Sequence, residues 1–412
     1  MIGVGTRQEA IPQESGRSKR RLAPDGWVGW RDVRMGHLDA EAERPYWIAL
    51  SLLPGIGPVG FARLLARYGS AQAAWRAGGA ALQVLPRQVP DAPLAFKRLA
   101  RRGVLTVARK VEADVRRAGG VVVTALDADY PHALAEADPR PPVLYRAGEP
   151  DAFVAPAVAI VGTRRASGYG RSVTQELADE LARAGVTVVS GLALGIDGEA
   201  HRAALQAGGR SVAVLPSPLD RIYPPRHREL AAQLVATGGA LVSEIAPGNA
   251  VGRPDFARRN RIIAGLSQAV VVVEAPDRSG ALLTAAAAIQ LGRELYAVPG
   301  DINADGSRGS NRLIADHHAS MVTSAAGLLT AVGFASAGRP LSVTTLSEIE
   351  GRVLYRLLEK PGSVEELLHR TDLPTSALAS ALTLLEARGL VTSYGGATFH
   401  PTLAARRIGQ AR

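Results

Sequence analysis

Between residues 157 and 298 the chain repeats one pattern: a short, mostly apolar run, a turn rich in small residues, then a segment of helical length. The runs fall at 157–161, 186–189, 211–215, 240–242, 269–273 and 294–298. Strands without polar alternation are buried on both faces, and helix-length crossovers between them require parallel pairing. The pattern predicts a doubly wound parallel α/β sheet whose ligands lie beyond the carboxyl ends of its strands. The glycines stand at those ends.

The first such end reads Ile160-Val161-Gly162-Thr163-Arg164-Arg165-Ala166-Ser167-Gly168-Tyr169-Gly170, a strand entering a Gly-rich loop and then a helix. Glycines let a phosphate approach backbone N–H groups, and Arg164 and Arg165 supply the counter-charge. The second reads Ser190-Gly191-Leu192-Ala193-Leu194-Gly195-Ile196-Asp197, with Asp197 expected to cap the next helix and His201 expected as a packed surface residue. A third segment, Phe256-Ala257-Arg258-Arg259-Asn260-Arg261, precedes an apolar helix. Arg258 and Arg261 lie one turn apart and share a face, and Phe256 is available to stack on a base. Cations at a helix start oppose the macrodipole, so an anion is expected against them. The fourth couples Glu274 to the turn at Ser279 and Gly280, a second phosphate turn or simply a close-packed one, with Glu274 either a capping acceptor or a catalytic carboxylate.

Several chemistries are set aside on residue type. A dinucleotide fold needs an acidic residue where Ser190 and Gly191 stand, and a P-loop needs a lysine, which residues 157–316 lack. The absence of Cys removes thiolate nucleophiles, disulfides and Cys-based zinc sites. His317 and His318 are adjacent, and side chains one apart on a helix diverge by about 100°, which argues against a shared metal. No cofactor is expected. The net charge of +10 rests on arginine, since Lys occurs only at 19, 97, 110 and 360; arginine forks suit a phosphate-bearing partner. With no apolar run of membrane-spanning length and no secretory pattern, the expectation is a cytoplasmic protein without a membrane partner.

Residues 1–40 read as a disordered basic tail, with Met35 a second candidate translation start. Residues 41–125 are helical by period and include Leu53-Pro54-Gly55-Ile56-Gly57-Pro58, either a helix-hairpin-helix phosphate turn of a SAM-like domain or a plain helical corner. A linker with one strand at 121–124 leads to the α/β domain, residues 126–335. Residues 341–402 carry helical patterns at 347–358, 363–370 and 376–388, then a hairpin wing, which is the winged-helix arrangement. Its third helix, capped by Thr375 or Ser376, has almost no base-reading side chain, which favours protein contact over sequence-specific duplex binding.

These motifs, together with Leu219-Asp220, Tyr223-Pro224, Arg259 to Gly265 and Arg278-Ser279-Gly280, resemble the DprA/Smf family of DNA-processing proteins over roughly residues 130–325. The resemblance implies an extended Rossmann-like domain that binds single-stranded DNA without catalysis, forms a homodimer, and delivers strands to the RecA recombinase in natural transformation or homologous recombination. Gly162, Thr163 and Arg164 match the family's phosphate loop; Phe256, Arg258, Asn260 and Arg261 match its aromatic and basic segment. Arg165, Ser190, Gly191, Gly195, Ser279 and Gly280 complete the expected nucleic-acid-binding set. Pro216-Ser217-Pro218 and His317-His318 depart from the family's pattern. The alternative is a Rossmann-like hydrolase cleaving a nucleotide N-glycosidic bond through Glu274, although its turn has fewer glycines than such enzymes carry.

Overall fold

The computed structural model describes residues 30, 33, 35–36, 38–85, 89–154, 156–334, 346–387, 390–394, 398–401 and 405. Its centre is a nine-stranded sheet. The strands are β1 (Gly120–Thr124), β2 (Val143–Gly148), β3 (Ala157–Val161), β4 (Thr187–Ser190), β5 (Ser211–Leu215), β6 (Ala240–Ser243), β7 (Ala269–Val272), β8 (Glu294–Ala297) and β9 (Ser320–Met321). They lie in the order β1-β2-β6-β5-β4-β3-β7-β8-β9. From β6 across to β9 every pair is parallel, while β2 pairs antiparallel with both β1 and β6. The chain lays down β3 to β6 outward in one direction, then returns to place β7 on the other side of β3. The topological switch point, where open α/β sheets open a crevice, is therefore between β3 and β7.

Both faces of the central strands are covered, which is why they read as unbroken apolar runs. Val158, Ile160, Val188 and Val271 meet the helices Gly168–Arg183, Ile196–Gln206 and Ala325–Ala331 on one face. Ala159, Val161, Val270 and Val272 meet Arg253–Leu266 and Gly280–Gln290 on the other. The expected parallel architecture is present, with one correction. The strand expected at 121–124 is present as β1 but belongs to the sheet, so the sheet begins inside the stretch 41–125 assigned to the helical domain and linker, and β2 is a further strand that no apolar run announced. Antiparallel strands need no crossover of full helical length, and the Pro-rich β1–β2 connection holds a single helical turn, His132–Ala135.

The N-terminal helices are Ala40–Ser51, Pro58–Tyr68, Ala71–Ala77, Gly79–Leu82, Ala92–Arg102 and Val104–Arg117. They share one hydrophobic core with β1, β2, β5 and β6: Trp47, Phe61 and Leu64 join Val122, Tyr145, Leu215 and Leu241. Pro58 opens its helix at the position where a missing N–H costs nothing, after an extended Gly57. The disordered tail expected through residue 40 is corrected at its end. Trp30 is 3% exposed and stacks on Phe61 at 6.0 Å, Arg140 lies 4.7 Å from its ring, and Asp39 caps the first helix. A chain started at Met35 would lose that buried ring. Residues 1–29 lie outside the described residues.

The C-terminal module has its own core of Val353, Leu357, Leu367, Leu378 and Leu385. Its helices are Glu348–Glu359, Val364–Thr371 and Thr375–Ala387, the first two opened by capping boxes at Ser347 and Ser363. Strands β10 (Gly362–Ser363), β11 (Val391–Tyr394) and β12 (Thr398–Pro401) form a sheet in the order β10-β12-β11, completing a winged helix. Thr375 is already helical, so the third helix starts a residue before the expected Ser376.

Candidate nucleic-acid interface

Three loops meet at the carboxyl ends of β3, β4 and β7, and they are interlocked by backbone contacts. Thr163 N donates to Glu274 O at 2.7 Å, and Ile196 N donates to Thr163 O at 3.2 Å. Gly195 has φ +76°, and a Cβ there would stand 2.3 Å from Thr163 O; a Cβ at Gly162 would stand 2.9 Å from Glu274 O. These glycines are required by loop-on-loop packing. The amide cradle expected around residues 162–170 is accordingly corrected. Thr163 N, Arg165 N, Ser167 N and Gly170 N all donate within the protein, to Glu274 O, Thr163 Oγ1, Glu274 Oε2 and Ser167 Oγ.

Glu274 decides what this end of the sheet can hold. Its carboxylate is 5% exposed and accepts both the Ser167 N–H, at 2.9 Å, and the Ser167 hydroxyl. A Cβ at Gly170 would fall 2.2 Å from Glu274 Oε2, so the carboxylate sits directly against the first turn of Gly168–Arg183. A buried anion there satisfies the helix's positive end. In this structure Glu274 is a capping acceptor, with one oxygen on the Ser167 N–H and the other on its hydroxyl.

Asp197 is 5% exposed and does not cap its helix, whose N-cap is Gly195; its Oδ2 accepts Gly191 N at 3.1 Å and Ala193 N at 3.4 Å, bracing the preceding turn. Burial pushes the Asp197 carboxyl up from its ordinary value, against the opposing pull of Arg259 and these two amides. His201, expected at the surface, is 0% exposed. Its Nδ1 lies 2.7 Å from Ser211 Oγ, whose own proton goes to Val188 O at 2.7 Å. His227 supports the same turn, with Nδ1 2.8 Å from Leu192 O.

Arg259 is the residue the sequence reading passed over. It is 7% exposed and donates through Nη1 to Gly191 O and Val214 O, bridging the ends of β4 and β5. Gly191 is glycine because a Cβ would occupy the guanidinium, 2.0 Å from Nη1. Burial lowers the Arg259 pKa to about 10, partly offset by Asp197 and reinforced by Arg164, so it is cationic at neutral pH. A signal was available: of the three arginines in Phe256–Arg261, the apolar positions Ile262 and Ile263 place 259 on the inward face.

Above Arg259 lies a small cleft lined by Arg164, Gly191, Leu194, Tyr223, Pro224 and Phe256. Arg164 lies 5.4 Å from the Phe256 ring, and Tyr223, 44% exposed, meets the same ring edge-on at 5.4 Å. An exposed guanidinium within cation–π distance of an aromatic ring, near a buried cation, suits phosphate and a stacked base. Thr163, Arg164, Arg165, Gly191, Gly195 and Phe256 are thus brought together, and Tyr223 joins them.

The other expected residues are placed differently. Ser190 is fully buried with its hydroxyl on Ile160 O at 2.6 Å. Asn260 Nδ2 donates to Gly280 O at 3.2 Å, and Ser279 caps Gly280–Gln290. Arg261 does not share a free face with Arg258: Nη2 grips both oxygens of Glu244, while Arg258 is exposed beside Asp255 at 3.5 Å. Asp255 and Glu244 are the anions expected against this cluster, supplied by the protein itself.

The chain is thus a three-module α/β protein: a Rossmann-like sheet with an arginine- and aromatic-lined switch point, between a helical hairpin module and a winged helix. Sequence models agree module by module: DNA recombination-mediator protein A over residues 121–333, a DprA-like N-terminal HHH domain over 41–93, and a DprA winged helix domain over 337–397. Protein Smf of Synechocystis is 37% identical over 298 residues, covering 71% of this chain and 74% of that protein. The DNA processing protein DprA of Streptococcus pneumoniae is 40% identical over 213 residues, 51% of this chain and 73% of that one. The crystal structure of DNA processing protein A from Streptococcus pneumoniae superposes with a TM-score of 0.58 at 30% identity, covering 70% of this chain and 96% of that chain. The chain belongs to the DprA/Smf family of DNA-processing proteins. Among the described residues no helix is long and apolar enough to cross a membrane.

Proposed function

We propose that the protein binds single-stranded DNA in the cleft over Arg259 and passes the strand to the RecA recombinase, acting as a homodimer in transformation or recombination. The observation that carries the DNA-binding reading is the Arg164–Phe256–Tyr223 cluster, exposed at the switch point above a buried cation. Phosphates are held chiefly by arginine side chains at the rim, since the amides of Thr163, Arg165, Ser167 and Gly170 are engaged internally. Stacking on Phe256 or Tyr223 is sequence-tolerant, because every base has a π-face. Support for the RecA step comes from family membership and from the recombination-mediator model that spans the sheet.

The test is fluorescence anisotropy of a labelled single strand across salt concentrations, with a matched duplex as control. Arg164→Ala should weaken single-strand binding and reduce the salt slope by about one, the signature of one lost phosphate contact. An unchanged slope and affinity in a folded variant would remove Arg164 from the interface. For the RecA step, the full chain should accelerate RecA filament formation on a strand already covered by single-strand-binding protein, and the Arg164→Ala variant should not.

A further inference from the structure

A second cavity, about 390 Å³, lies between the N-terminal hairpin and the start of the arginine-bearing helix. Leu53, Ile56 and Gly57 line one side; Glu244, Arg258 and Arg259 line the other. Its volume falls within the range of about 300–1,000 Å³ typical of small-ligand sites. The hairpin that was read as either a phosphate turn or a plain corner therefore faces the sheet domain across an open pocket, not away from it.

Arg259 lines both this pocket and the cleft at Gly191, Tyr223 and Phe256, so the two cavities share a wall. Its Nε is buried without a hydrogen-bond partner among the described residues, although Nη1 is fully engaged. The remaining charges are graded in availability. Arg261 is held by Glu244, whereas Arg258 is exposed and its contact with Asp255 is long, 3.5 Å. On the hairpin side, Gly57 precedes Pro58–Tyr68 without a side-chain cap. Leu53, Ile56 and Ile262, each almost fully buried, form the apolar part of the lining between these polar ends, the kind of wall a nucleobase packs against while its phosphate reaches a cation.

We infer that this pocket holds a nucleotide of the single strand next to the one in the cleft, so that the N-terminal helical module is a wall of the DNA path. The inference rests on the proposed binding cleft and extends it across the module boundary. Arg258 meets the phosphate, and the hairpin closes over the base.

Gly57 supplies a clean perturbation. Its backbone is extended, at φ −82° and ψ −175°, and a Cβ there meets nothing within 4 Å. Gly57→Asp places a negative charge at the pocket wall, repelling an incoming phosphate, while installing a preferred N-cap, so thermal stability should hold or rise. Gly57→Ser caps the helix without charge. Both full-length variants, with wild type and Arg164→Ala, are titrated against oligothymidylates lengthened one nucleotide at a time.

The expected result is that Gly57→Asp binds the shortest recognised strand like wild type but binds longer ones about tenfold more weakly, the scale of one lost stacked base. Gly57→Ser should follow wild type, and Arg164→Ala should be weaker at every length. If Gly57→Asp follows wild type throughout while Arg164→Ala still weakens binding, the pocket lies off the DNA path and the cleft stands. If Gly57→Ser weakens binding as much as Gly57→Asp, the effect is a distorted hairpin and the inference fails. If Arg164→Ala has no effect at any length, the cleft fails and the pocket falls with it.

Discussion

Acid should destabilise this protein through one histidine, and His201→Asn should remove that sensitivity. Ser211 has a single hydroxyl proton, and it goes to Val188 O, so His201 must donate to Ser211 Oγ through Nδ1–H. The neutral ring then carries its lone pair on Nε2, which is buried without a partner among the described residues. Protonation would place an unsolvated cation there, near His227, Arg259 and Arg202. Burial first, and those charges second, hold the His201 pKa down to about 3 from 6.5. A depressed histidine binds its proton more readily when unfolded, so stability falls as pH drops below about 6.5, until the folded ring itself titrates near 3. Linkage gives about 2 kcal/mol lost between pH 7.5 and pH 5, and about 5 kcal/mol across the whole window. Urea unfolding followed by circular dichroism at both pH values measures it. Asparagine keeps a donor at the Nδ1 position and cannot titrate, so the pH difference should shrink by about 2 kcal/mol even if packing lowers stability overall. An equal pH difference in wild type and variant would refute the buried neutral ring.

Two further substitutions separate structural arginines from binding ones. Gly191→Ala should displace the Arg259 guanidinium and cost about 3 kcal/mol or more, since charged hydrogen bonds to Gly191 O and Val214 O are both lost; a urea midpoint near wild type would show that the guanidinium relocates freely. Arg261→Ala should destabilise by about 2–3 kcal/mol by stranding the partly buried Glu244. It should leave the salt slope of DNA binding unchanged, and a slope reduced by about one would instead make Arg261 a phosphate contact.

The sheet was legible because both-face burial writes itself into sequence as unbroken apolar runs: β3 and β5 match the predicted residues end to end. β2 and β9 were not, because a strand paired antiparallel on both sides, with Arg146 inside it, and a two-residue strand have no distinctive apolar run. At the site, Arg164, Arg165 and Phe256 could be picked out as charge and aromatic groups beside a Gly-rich turn. What could not be read was direction. Arg258, Arg259 and Arg261 are interchangeable by composition, and only packing decides that one is exposed, one buried and one paired to Glu244. The glycines misled for a related reason: a small residue beside a turn admits either a ligand or a neighbouring loop, and here Gly162 and Gly195 admit loops.

The carboxylate of Glu274 against Gly168–Arg183 has a consequence for competition inside a cell. In many sheets of this build the equivalent helix start is where a free nucleotide gains its tightest hold. Here that position is filled by a carboxylate of the chain itself. On the proposed binding mode a nucleoside phosphate would meet the rim arginines one or two contacts at a time. A polymer meets them together, and its advantage grows with each successive phosphate. On that binding mode, one acidic side chain in the sheet would thus favour long strands over their monomeric building blocks.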